Sequence, residues 1–417
     1  MHLWAIAVGL VISGDYFGWN YGVRAGGPLG MLAATLLMTA LYVCFIFSYT
    51  ELSTAMPHSG GPSAFARRAF GPWGGFVAGY ATLVEFLLAP PAIARAIGSY
   101  VNFRAPSLSV DGVAVTAFAV FCLLNALGTT LAATIELVIT LAATIELGIF
   151  FGLAGPHVDL ARITAEPRLP HGLMGAFAAI PFAIWFFLGI EGVAMSAEEV
   201  KHPRRDIPRG YLAGVSTLVV LALGTLVCSA GVLSPSELVV DDSPLPRVLA
   251  RVLSRDHPMT HLMVYLGLFG LVASFHGIIM GATRQVFALA RDGYLPQGLA
   301  YVHPRFRAPA RAVVVPWAVG TAAVFSRRTD DLITASVLGA VVVYLVSMAS
   351  LFRLRRTEPE MPRPFRAPGF PWVAGAAFAL SLLALLAVVA SAPRVSVGFL
   401  ALMGVLAAAQ ARRPPPG

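Results

Sequence analysis

A carboxylate inside the first apolar run gives this sequence its chemistry. The stretch reads Ile12-Ser13-Gly14-Asp15-Tyr16-Phe17-Gly18-Trp19-Asn20-Tyr21-Gly22. At the middle of a membrane helix an acid costs about 2.5–3.5 kcal/mol on insertion scales, so it faces a cavity or a partner. Gly14, Gly18 and Gly22 weaken the helix around it, each by up to about 1 kcal/mol relative to alanine. A second stretch, Ile180 to Ala194, repeats the arrangement with Gly189, Ile190, Glu191 and Gly192. An acid beside such a weak point has two uses. It can cap the freed N–H groups of a half-helix, or it can neutralise an ammonium group. Tyr16, Trp19 and Trp185 would then be the apolar and cation–π walls. Taken singly, each of those rings is better explained by core or interface packing.

Other ionisable groups sit in apolar surroundings. Glu85, Glu146, Glu191 and His276 are candidate proton carriers if flux is coupled to H+; Na+ is the alternative ion. A hydrogen-bonded core role is the plainer reading of His276. Leu131–Leu137 and Leu141–Leu147 are one heptapeptide repeated, which carries Glu136 and Glu146. Ten residues advance a helix by about 1000° and about 15 Å, so the two acids differ in depth and face. Glu136 is expected near the wet inner end of its helix and Glu146 deeper. Cys44, Cys122 and Cys228 lie within apolar runs, so neither a disulfide framework nor a metal cluster is expected. The sequence contains no HExxH and no nucleophile elbow, so an enzyme is not expected, nor any cofactor.

The elements that position these residues are membrane helices. Hydrophobic residues make up 57% of the 417 and charged ones 12%, against about 25% charged in soluble domains. That leaves too little polar surface for a water-soluble globule, and the bilayer becomes the first partner. The net charge of +8 comes almost wholly from arginine, Lys201 being the sole lysine. These arginines lie in short gaps between apolar runs rather than in one basic patch, so no nucleic-acid partner is expected. Runs of about 20 apolar residues give twelve spans. They cover Leu3–Val23, Pro28–Met56, Trp73–Ile97, Val110–Leu127, Leu131–Leu153 and Leu173–Ala197. The rest cover Tyr211–Leu233, His261–Leu289, Ala312–Phe325, Leu332–Phe352, Pro371–Ala392 and Val395–Ala409. The larger share of the arginines falls on one side, including Arg67, Arg68, Arg204, Arg353, Arg412 and Arg413. That bias places both termini in the cytoplasm.

Weak points in the first and sixth spans fit an inverted repeat around a central site. Four further stretches carry a resemblance. They are Glu51-Leu-Ser-Thr-Ala-Met-Pro57 with Gly60-Gly61-Pro62, Ala197-Glu-Glu-Val-Lys-His-Pro203 with Ile207-Pro208-Arg209, Ala290-Arg-Asp-Gly-Tyr-Leu-Pro296, and Pro364-Phe-Arg-Ala-Pro-Gly369. Over nearly the whole chain the sequence resembles the amino acid–polyamine–organocation permeases. In Ile12–Asn20, in Val84-Glu85-Phe86 with Ala89–Ala94, and in Ile184–Ala194 it resembles the ethanolamine permeases. The resemblance implies an all-α fold of two inverted five-helix repeats with broken helices 1 and 6. A transport core over 1–355 would be followed by two peripheral helices over 356–417. It also implies a solute held at the breaks, which adds Ser13, Gly14, Gly189, Ile190 and Ser274 to the pocket. Amino-acid carriers of that superfamily usually keep an uncharged break in the first span. Asp15 at that place fits a substrate with an amine and no carboxylate.

The expected function is import of ethanolamine or a similar small amine across the inner membrane. An amino-acid permease or exchanger is the alternative. A monovalent cation gains about 2.3 kcal/mol per 100 mV, and a hundredfold gradient costs about 2.7 kcal/mol. Voltage alone therefore nearly suffices, and a coupling ion is optional.

Overall fold

A computed structural model describes residues 2–128, 132–164 and 169–411. Leu131, where the fifth span was expected to begin, and Arg412 and Arg413 lie outside the described residues. Among the described residues the protein is helical, with no strand. The first apolar run is divided into α1 (His2–Gly9), α2 (Ser13–Tyr16) and the start of α3 (Trp19–Ala55). Within α3, Gly27 leaves the helix at φ 71° and ψ 172°, and Pro28 restarts it. Proline suits a first turn because its missing N–H would be unpaired there anyway. The chain continues through α4 (Pro62–Phe70), α5 (Pro72–Arg104), α6 (Val110–Ala126), α7 (Ala132–Ala154), α8 (Leu160–Ile163) and α9 (Gly172–Trp185). A 3-10 segment, Ile190–Glu199, completes the sixth apolar run. Then follow α10 (Pro203–Val232), two short helices α11 (Pro235–Leu238) and α12 (Pro244–Val252), and α13 (Pro258–Arg291). The last are α14 (Val314–Val324), α15 (Thr329–Thr357), α16 (Trp372–Ser391) and α17 (Pro393–Ala411).

Among the described residues nine helical stretches are long and apolar enough to cross a bilayer. Three shorter apolar ones, His2–Tyr16, Val110–Ala126 and Val314–Val324, accompany them. The pattern is that of a multi-pass membrane protein, in which helices satisfy their own backbone groups within lipid. Pro90 and Pro91 stay inside α5, which is continuous to Arg104. α5 is also the most enclosed of the long helices, packed by α4, α6, α13 and α15.

The four motifs with superfamily resemblance meet at one end of this bundle. Buried Glu51 accepts from Arg355 (Nε, 2.8 Å) and from the Ala367 amide (2.7 Å), and Arg363 Nε lies 3.1 Å away. Ser59 N–H donates to Glu198, and Arg291 reaches His58 and Ser59. These stretches hold loops together and lie apart from the helix breaks. At the opposite end, Asn20 Nδ2 donates to the carbonyls of Leu238 and Asp241, and Asp242 accepts from Tyr21 and Thr329. The α11–α12 segment is thereby tied to α3 and α15.

Candidate functional site

The two interrupted helices touch at their breaks. A Cβ on Gly14 would lie 2.4 Å from the Trp185 carbonyl oxygen and 3.0 Å from the Phe186 Cα. Only glycine permits that approach. Gly18 has φ 92° and faces the Trp185 indole, where a Cβ would meet the ring at 2.4 Å. Gly189 has φ 96° and turns the chain from α9 into the 3-10 segment. Gly18 and Gly189 thus hold left-handed backbone that other residues adopt at a cost.

Ser274 of α13 splices the first break. Its hydroxyl accepts from Ser13 N–H (2.9 Å) and donates to the Gly9 carbonyl (2.6 Å). Other amides of the break are paired as well: Gly14 N–H with Val11 O, Asp15 N–H with Ile12 O, and Gly18 N–H with Asn20 Oδ1. Trp19 Nε1 donates to the Asp15 carbonyl (3.1 Å), and its ring stacks on Phe186. Asp15 itself is fully buried, and neither carboxylate oxygen has a hydrogen-bond partner within the chain. The Trp185 indole N–H is a second buried group without a partner. One carboxyl on the first break and one indole donor at the second are therefore left without a partner in the chain. Such unsatisfied buried polar groups are uncommon.

The remaining expected residues divide. Tyr16 is buried beside Asp15, but its hydroxyl is engaged by Glu146 Oε2 (2.7 Å) and the Ala143 carbonyl (3.2 Å). Its backbone carbonyl accepts from Tyr100. Ile190 is fully buried at the head of the 3-10 segment. The backbone carbonyl of Glu191 accepts from Tyr49 and Tyr211, and its carboxylate accepts from Tyr344 (3.2 Å). Both carboxylate oxygens of Glu85, and Oε1 of Glu191, are buried without a hydrogen-bond partner within the chain. His276 instead faces α6, 3.2 Å from Asn125 Nδ2 and beside Phe121, and does not join the breaks. Glu136 departs from its expected wet position: it is 8% exposed, and a Cβ on Gly9 would meet its Oε1 at 2.2 Å. The reason is that α1 covers that end of α7. Both acids of the heptapeptide repeat therefore meet the first apolar run, Glu136 at Gly9 and Glu146 at Tyr16.

Sequence reasoning missed the tyrosines that build the second half of the site. Tyr42 and Tyr344 pair at 2.8 Å across 302 positions, and Tyr49 stacks on Phe45. The aromatic spacing Tyr42, Phe45, Tyr49 on one helix face was the available signal.

The match to known proteins spans the same helices. A family model described as amino acid permease matches residues 2–408. An uncharacterised transporter of Rhizobium meliloti is 31% identical over 86% of this chain and 78% of its own length. The branched-chain amino acid permease BcaP of Bacillus subtilis is 25% identical over 91% of this chain and 85% of its own. The methylthioribose transporter of the same organism is 25% identical over 88% and 83%.

Proposed function

The chain belongs to the amino acid permease family, and within it we propose a carrier that imports ethanolamine or a similar small amine by alternating access. The observation that carries this reading is Asp15, a buried carboxylate at the first helix break with both oxygens unpartnered. An ammonium group would give it the counter-charge that a buried anion requires. The Trp185 N–H, equally open, would donate to the hydroxyl of an amino alcohol. The proposal extends to a twelve-span chain with inverted repeats over 1–355, two peripheral helices over 356–417, an inner-membrane location and both termini in the cytoplasm. Nine long and three short apolar stretches support the span count.

The second reading, an amino-acid permease, is favoured by the name of the Bacillus relative. It needs donors for a substrate carboxylate. At the first break the amides of Ser13, Gly14, Asp15 and Gly18 are already hydrogen-bonded within the chain, which weighs against it. Uptake of labelled ethanolamine into proteoliposomes separates the two. Competition by unlabelled ethanolamine but not by alanine or arginine supports the amine carrier. Competition by alanine, with ethanolamine inert, would establish the amino-acid reading.

A further inference from the structure

The 3-10 segment finishes at the motif-bound end of the bundle, where Glu198 meets Ser59. A groove of about 890 Å³ opens beside it between α1, α7 and the first turns of α10. Its walls are apolar: Leu3, Trp4 and Ile6 of α1, Leu141 of α7 and Ala213 of α10. Its lip is cationic, with Lys201, Arg205 and Arg209 against a single carboxylate, Asp206. The back of the groove is firm. Trp4 Nε1 donates to Thr217 Oγ1 (3.0 Å), and a Cβ on Gly210 would stand 2.6 Å from Leu3 Cβ, so α1 lies directly on α10.

The charges of the lip exceed what the chain itself neutralises. Asp206 is engaged by Arg205 (Nε, 2.9 Å), and among the described residues no carboxylate forms a salt bridge with Lys201 or Arg209. A helix N-terminus carries partial positive charge and favours acids in its first turns. α10 instead opens with Arg204, Arg205 and Arg209, which the helix end repels. Arg205, Arg209 and Ala213 recur every four residues and share one helix face. That face passes from charge to apolar surface within about 12 Å of axis, on a helix long and apolar enough to cross a bilayer. Cations at the helix end with apolar walls beneath them match an anionic headgroup and its acyl chain. A free phosphate, a few waters of about 30 Å³ each in size, would leave most of the groove and all of its apolar wall unused. A zwitterionic lipid would bring a quaternary ammonium against the cationic lip.

We propose that this groove binds one anionic phospholipid, its phosphate held by Lys201, Arg205 and Arg209 and one acyl chain laid along Trp4, Ile6, Leu141 and Ala213. Bound there, the lipid ties α1, the first half of the broken run, to α7 and α10. The proposal is independent of which solute the chain carries.

The test uses the full chain purified in detergent, with lipid binding followed by native mass spectrometry. Dioleoylphosphatidylglycerol is expected to bind at least about tenfold more tightly than dioleoylphosphatidylcholine, because each basic residue beside an anionic headgroup adds a several-fold factor. The triple variant Lys201→Gln, Arg205→Gln, Arg209→Gln is expected to lose that preference and to keep the weaker phosphatidylcholine binding. Ala213→Trp, at an exposed position of the wall, fills the groove with the cations intact and is expected to weaken both lipids. It carries the test if the triple variant does not fold. Arg353→Gln with Arg356→Gln removes two cations of α15 at the same end and is expected to behave like wild type. Equal affinity of the two phospholipids for the wild type would overturn the proposal, as would undiminished lipid binding in Ala213→Trp. Displacement of phosphatidylglycerol by an equal concentration of inorganic phosphate would overturn it too, by making the site one for a free anion. So would loss of the preference in the Arg353→Gln, Arg356→Gln variant, since the attraction would then belong to the whole surface.

Discussion

In the proposed carrier, Asp15 would supply the counter-charge and Trp185 would orient the guest. Removing one partner of a buried charged hydrogen-bonded pair costs about 2–5 kcal/mol, so on this proposal the aspartate would dominate affinity. The indole N–H would contribute a neutral hydrogen bond, worth about 0.5–1.5 kcal/mol. Trp185→Phe, which keeps a ring against Gly18 but removes the donor, is therefore expected to weaken ethanolamine about two- to tenfold and ethylamine hardly at all. Competition binding with the two amines checks this; equal weakening of both would place the indole outside hydroxyl recognition. The burial of Asp15 was legible in the sequence because it lies among glycines inside an apolar run. Glu136 was misread because depth along a helix was taken for exposure, without knowing that α1 lies across it.

At the helix breaks, glycine and serine set the geometry. A Cβ on Gly14 would sit 2.4 Å from a backbone oxygen of the partner helix. Backbone cannot yield as a side-chain tip can, so Gly14→Ala is expected to abolish uptake and lower the melting temperature. Ser274→Ala would strand the Gly9 carbonyl and the Ser13 N–H, at about 1–3 kcal/mol for each buried unsatisfied group. A lower melting temperature in thermal unfolding checks it, and unchanged stability would remove the splice from the account. Between α11 and α12, burial raises the Asp241 carboxyl pKa, but hydrogen bonds from Arg247 and Ser243 outweigh it and leave it below the usual carboxylate range. A depressed folded value means the contribution is complete above the unfolded value of about 3.9 and is lost as pH falls through the folded one. Hydrogen exchange in α11 and α12 is expected to accelerate in that acid window, and Asp241→Asn to remove the pH dependence. The two breaks were visible as glycine–acid stretches. The Ser274 splice links positions 261 apart and had no local signature.

For the whole molecule, one end is held by the motif residues and the centre is left polar. Glu51 is 1% exposed and binds Arg355, Arg363 and the Ala367 amide. Breaking a buried ion pair by removing one partner costs about 3–5 kcal/mol. Glu51→Gln is therefore expected to lower the melting temperature while leaving amine affinity in the folded fraction unchanged. The all-helical membrane class followed from composition alone. The convergence of the four motifs at one end did not, because contacts between Glu51 and Ala367 close over most of the chain. The central claim is that Asp15 neutralises a positive guest. Ethanolamine titrated into purified wild type, Asp15→Asn and the α11 control Glu237→Gln decides this. A loss of at least about thirtyfold is expected for Asp15→Asn, taking about 2 kcal/mol as the lower bound, with Glu237→Gln like wild type. Equal affinity in wild type and Asp15→Asn would contradict it.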